Sequence, residues 1–192
     1  GALDDFTVPR RADVLGPKSL GQLARELAQT HRATPGPLRN PLPEDIARLH
    51  DRLEDAYARI AEAQAADRTI TPAAQWLLDN FHLVESQIFD VSRNLPLQYY
   101  RELPKLASRE LGGVARVYAM ALEAIRHSDG RLDPGRLHRF VASYQTQAPL
   151  TMGELWAWPS MLKLVLIENL RRLADELIVD RTARLAADAY VT

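Results

Sequence analysis

Residues 71–88 read TPAAQWLLDNFHLVESQI, and the reading of this stretch decides the fold. At 100° per residue, Leu77, Phe81, Val84, Ile88 and the following Val91 fall within about 80° of one another. That is the stride of an amphipathic helix; a half-buried strand would alternate every second residue. Thr71-Pro72 supplies the start, a hydroxyl to cap the first amides and a proline at the first helical position. Trp76 and Leu83 lie on one flank of the stripe, Leu78 and Phe89 on the other. Only Asp79, Ser86 and Asp90 are left for the back. So broad an apolar surface predicts a helix from 72 to about 93, central in its domain.

Four polar residues deserve separate treatment. Asn80 and Gln87 sit between the core stripe and the Trp76 flank, and His82 and Glu85 sit on the opposite side. Groups placed there are partly buried and need hydrogen-bond partners. His82 and Glu85 are three apart, which suits a metal ligand or a general base with its carboxylate. The HxxE spacing is short and common, so a structural network that fixes helix register is the preferred reading. A bundle di-iron site needs ExxH pairs on two helices, and the sequence has none to match. The last helix carries a related pattern, LIENL at 166–170 against LLDNF at 77–81; five matched positions do not make a repeat, and chance similarity between two buried helices is the preferred explanation. In that last helix Asn169 also points inward, among Leu162, Leu166 and Leu173. Asn80 is therefore expected to face Asn169, while Glu168 and Arg172, four apart, pair on the surface.

Working outward, residues 1–16 show little periodicity and form a flexible arm. Pro17 to Arg32 carries Leu20, Leu23 and Leu27 on one stripe. Residues 33–43 hold four prolines and a glycine; they form a linker, because proline lacks the amide a helix needs. From about 44 to 67, Ile46, Leu49, Leu53, Ala56, Ile60 and Ala63 keep a bundle-helix stride. A short helix spans Pro96 to Ala107, interrupted by Pro104. Gly112-Gly113 breaks the chain, Val114 to His127 is helical, and Ser128-Asp129-Gly130 turns it. Asp133-Pro134 opens a helix to about Gln147. Thr151-Met-Gly-Glu154 has capping-box spacing and opens a last helix to about Ala189, with a break expected at Pro159. No segment sustains strand alternation. The fold class is all-α: one bundle-like domain of about seven helices over residues 17–192.

Bulk composition narrows the function classes. The 192 residues carry a net charge of −1, with 24 basic and 25 acidic side chains. Nothing in that balance points to nucleic acid. The absence of cysteine excludes thiol catalysis, disulfides and cysteine-based zinc sites. The most apolar run, near Met161 to Ile167, is far short of the ~20 residues that span a bilayer. No P-loop, dinucleotide fingerprint, HExxH or nucleophile elbow is present. The sequence therefore implies no cofactor, no metal and no catalytic residue in this chain. Candidates for ligand stacking are Tyr99, Tyr100 and Arg101 on the short helix, and Trp156 and Trp158 before Pro159. Core and rim packing is the commoner use of such residues. SDGRLD at 128–133 lacks the acidic ladder of a calcium loop.

Three stretches in order carry a family resemblance: TPAAQWLLDNFHLVESQI (71–88), LPLQYYRELPKLA (95–107) and residues 127–174, which include GELWAWPSMLKLVLIENLRRLA. Together they resemble the N-terminal region of bacterial cyclic β-1,2-glucan synthases, over about residues 45–175. The resemblance implies a very large inner-membrane glycosyltransferase that uses UDP-glucose and ends in a glycoside-phosphorylase-like region. The chain matches neither catalytic region. An inward polar seam without a complete catalytic set points to a non-catalytic scaffolding or regulatory domain whose partner is the rest of its own polypeptide, and the resemblance implies that it lies on the cytoplasmic side of the inner membrane. A carbohydrate- or sugar-nucleotide-binding module, and an enzyme built on Asn80, His82, Glu85 and Asn169, are the alternatives.

Overall fold

The computed structural model describes residues 17–34, 42–66, 68–107, 113–128 and 132–190. The expected arm at 1–16, most of the linker and the Asp129-Gly130 turn lie outside them. Seven helices appear among the described residues: α1 (Pro17–Thr30), α2 (Leu42–Ala65), α3 (Pro72–Asn94), α4 (Leu97–Glu102), α5 (Arg116–Arg126), α6 (Pro134–Gln145) and α7 (Met152–Tyr190). The protein is all-α, as its periodicities indicate.

The amphipathic strides become packing faces. All six apolar positions expected on α2 are buried. On α3, Leu77, Val84, Ile88 and Val91 are buried, while Phe81 is half-buried and stacks on Tyr57 of α2, ring centroids 4.5 Å apart. Thr71 caps α3 by accepting from the Ala74 amide at 3.2 Å. Asp133 caps α6 by accepting from the Gly135 amide at 2.8 Å.

Centrality goes to a different helix than the sequence suggests. Trp76, Leu83 and Phe89 of α3 are exposed, whereas nine of the eleven residues of α5 are buried. Its alanines (119, 121, 124) let neighbouring helices approach closely. One face of α5 joins α2, α3, α4 and α7 in the main core. Its other face gives Met120 and Ala124 to a second, smaller core with Leu20, Ala24 and Ala28 of α1 and Phe140 and Tyr144 of α6. Gly21 permits the α1–α6 approach, since a Cβ there would stand 3.1 Å from the Ser143 hydroxyl.

Two expectations fail for identifiable reasons. The short helix ends at Glu102, well before Ala107. Pro104 forces the preceding residue out of the helical region, and Leu103 is extended at φ −65°, ψ 142°. The chain then makes a strand, β2 (Lys105–Leu106), antiparallel to β1 (Ala33–Thr34) at the start of the linker. Strands of two residues are too short to show alternation. Gly113, at φ 88°, turns the chain back so that its amide donates to Leu106 O at 3.1 Å. The second failure is the break at Pro159: α7 runs through it. Burial of Ala157, Ser160, Met161 and Leu164 around the proline holds the helix despite the lost amide.

Candidate functional site

The four polar residues of the expected network are not brought together. Asn80 donates from Nδ2 to the Trp76 carbonyl at 2.8 Å, one turn back in its own helix. His82 is exposed. Glu85 turns to α2, where its Oε1 lies 3.2 Å from His50 Nε2. Asn169 accepts from Arg172 Nη2 at 2.8 Å. The anticipated Asn80–Asn169 contact and the His82–Glu85 pair are therefore both replaced. The physical reason is local: a carbonyl four residues back, or a cation one turn on, is nearer to an asparagine than the neighbouring helix is. Glu168 also departs from expectation. It is buried and accepts from the Tyr118 hydroxyl at 2.6 Å, while Arg172 reaches Glu176 at 3.2 Å.

The aromatic candidates are likewise divided. Tyr100 is fully buried, and Tyr99 donates its hydroxyl to the Gly153 carbonyl. Arg101 is exposed, with its carbonyl accepting from Lys105 Nζ. Trp158 is half-buried and lies nearly parallel to Phe140, centroids 6.1 Å apart. Trp156, two positions earlier on α7 and so about 200° around it, is 74% exposed. A sugar could reach Trp156, but not a platform of these residues. One group among the described residues could approach a cation: His50, Asp51 and Glu54 on α2 offer ligand atoms within 4.8 Å of one another. They are surface groups, and carboxylates so placed are ordinarily solvated.

The most developed polar site is elsewhere, where the ends of α1, α5, α6 and α7 meet. Arg116, at the first position of α5, donates from Nε to Glu154 Oε2 at 2.9 Å and from Nη2 to Oε1 at 2.6 Å. The same Nη2 reaches the Pro149 carbonyl at 3.2 Å. Glu154 is 0% exposed. It also closes the capping box legible in the sequence: its Oε1 accepts from the Thr151 amide at 3.0 Å, and its own amide donates to Thr151 Oγ1 at 3.1 Å. One carboxylate thus starts α7 and ties it to α5 with a two-pronged, charge-assisted contact.

Beside this pair, His31, just past the end of α1, shares a 3.0 Å hydrogen bond from Nδ1 with the hydroxyl of fully buried Tyr144. Burial first, and then the Arg116 charge, hold the His31 pKa down to about 4. Burial raises the Tyr144 hydroxyl well above its ordinary value; Glu154 adds to this and Arg116 opposes it. The hydrogen bond to Glu154 is the main cause holding Arg116 above its usual range. His31 is therefore neutral and Tyr144 protonated at neutral pH. A general acid or base must reach its substrate, whereas both Glu154 oxygens are engaged and the carboxylate is sealed. The arrangement is suited to fixing helix ends. The capping half of it was visible as TMGE; Arg116, Tyr144 and His31 gave no local signal, because their partners lie far along the chain.

No family model matches the chain. Over 152 residues it is 38% identical to the cyclic beta-(1,2)-glucan synthase NdvB of Rhizobium meliloti (strain 1021), a match covering 76% of this chain and 5% of that protein. The chain thus spans about one twentieth of its relative's length. No described helix is long and apolar enough to cross a membrane. Over most of its length, this helical chain is a relative of part of a cyclic β-(1,2)-glucan synthase.

Proposed function

We propose that the chain is a non-catalytic scaffolding or regulatory domain of a cyclic β-1,2-glucan synthase-like transferase that uses UDP-glucose. It docks onto the rest of its polypeptide, on the cytoplasmic side of the inner membrane, and helps position the transferase. One observation carries this reading: the best-built polar site, Arg116 with Glu154, is closed and spent on joining helix ends. The polar residues of α3 and α7 that could have formed a catalytic set diverge to separate partners. The test is direct. The 192-residue chain should neither hydrolyse UDP-glucose nor transfer glucose from it. Turnover abolished by His82→Ala or Glu85→Gln would overturn the reading.

The exposure of Trp156 favours a second reading, a module that binds glucan or a sugar nucleotide. Titration with β-1,2-glucan oligomers and with UDP-glucose, followed by tryptophan fluorescence, separates the two. A saturable change lost in Trp156→Ala supports binding; silence at millimolar ligand removes it.

A further inference from the structure

Seven large apolar side chains are exposed among the described residues, and three of them converge on one place. Trp76, Leu83 and Leu173, exposed by 48%, 47% and 42%, line a groove of about 340 Å³ between α3 and α7. Leu166 and Leu170 also line it, and Gln87 and Asn169 are its polar members. Trp76, Leu83 and Gln87 span twelve residues of α3, roughly 16 Å, and Leu166 to Leu173 runs about 10 Å along α7. The groove is therefore two to three helical turns long, apolar along its floor, and free of charged lining residues. Three large exposed apolar side chains gathered in one groove, rather than scattered singly, form a surface that a partner can cover. A furrow between two helices, with apolar positions spaced by four and seven, matches the way a third helix lays its apolar stripe into a groove.

We infer that this groove seats an amphipathic helix from elsewhere in the same polypeptide, beyond residues 1–192. The inference rests on the docking role proposed above and assigns it a surface. The chain accounts for 5% of the related synthase, so nineteen-twentieths of such a polypeptide is available in cis. A tethered segment is held at high effective concentration and needs only a modest contact to stay bound. The uncharged floor defines the occupant's chemistry: its inserted stripe carries Leu, Ile, Phe or Met, because a Lys or Glu there would be buried without a partner. Gln87 and Asn169 accept polar groups at the edge of that stripe.

The experiment uses the whole polypeptide that contains this chain, with the photoreactive residue p-benzoylphenylalanine replacing Leu83, and in a control replacing exposed Glu62 of α2. After irradiation, the cross-linked peptides are mapped by mass spectrometry. The expected result is a cross-link from position 83, not from 62, to a helical segment of the same polypeptide outside residues 1–192. Introducing Leu173→Asp should abolish it. Cross-links to residues 1–16, to a second copy, to lipid or to nothing would each overturn the inference. Deleting residues 1–192 and measuring glucan output tests the underlying role separately. Unchanged output contradicts that role even if the cross-link stands. Reduced output without a cross-link leaves the role intact and removes the groove.

Discussion

Two polar regions of this molecule look alike in composition and differ in what they do. The seam on α3 and α7 has Asn80, His82, Glu85 and Asn169 set among large apolar residues. The junction at the start of α7 has His31, Arg116, Tyr144 and Glu154. The first is conspicuous in the sequence, yet its members face solvent, their own backbone or a half-exposed neighbour. The second is inconspicuous, yet it holds the most completely buried charge pair among the described residues. The difference shows that helical spacing locates a side chain on its own helix but says nothing about what stands opposite.

The comparison predicts unequal sensitivity to mutation. The largest effect is expected at Glu154. Glu154→Ala strands the Arg116 guanidinium in a buried site and removes a helix cap, so it should cost about 3–5 kcal/mol. Urea unfolding measures this directly; a loss under about 1 kcal/mol would erase the distinction between the regions.

The next effect is that of pH. The folded His31 pKa is about 4, below the ~6.5 of an unfolded histidine. The unfolded chain therefore binds the extra proton between those values. His31's contribution is fully present above about pH 6.5 and is lost as pH falls toward 4. Discounted for half-burial, it amounts to roughly 1–2 kcal/mol. His31→Gln should flatten the corresponding part of the melting temperature against pH, between pH 7 and 4.5. An unchanged slope would place His31 in an ordinary solvated setting.

The smallest effect belongs to the seam. Glu85→Ala loses a half-exposed contact with His50 and should cost about 0–1 kcal/mol. Asn80→Ala should stay within about 0.5 kcal/mol. Thermal melts of both variants near wild type would sharpen the contrast, and a cost of several kcal/mol in either would break it.

Much of the architecture was legible because it is local. The six-residue stripe of α2, the Thr71 and Asp133 caps and the Thr151–Glu154 box each depend on residues within a few positions of one another. What escaped depends on distance along the chain. Arg116 meets a carboxylate 38 residues away, and His31 meets a hydroxyl 113 residues away. The β1–β2 ribbon joins the linker to the residues after Pro104, and neither strand is long enough to announce itself. Pro159 misled in the other direction: its break signal is real, but buried neighbours on both sides override it. The width of α3's apolar surface does not make that helix central. Part of it instead remains exposed in the groove shared with α7, which is why that groove invites a partner.

The central claim is that the domain's buried polar chemistry is architectural and lies where α5 meets α7. A double-mutant cycle on Arg116→Met and Glu154→Gln, read by urea unfolding, tests it most directly. The expected coupling between the two positions is above about 1.5 kcal/mol, since each side chain is the other's main partner. Costs that simply add, to within about 0.5 kcal/mol, would contradict it.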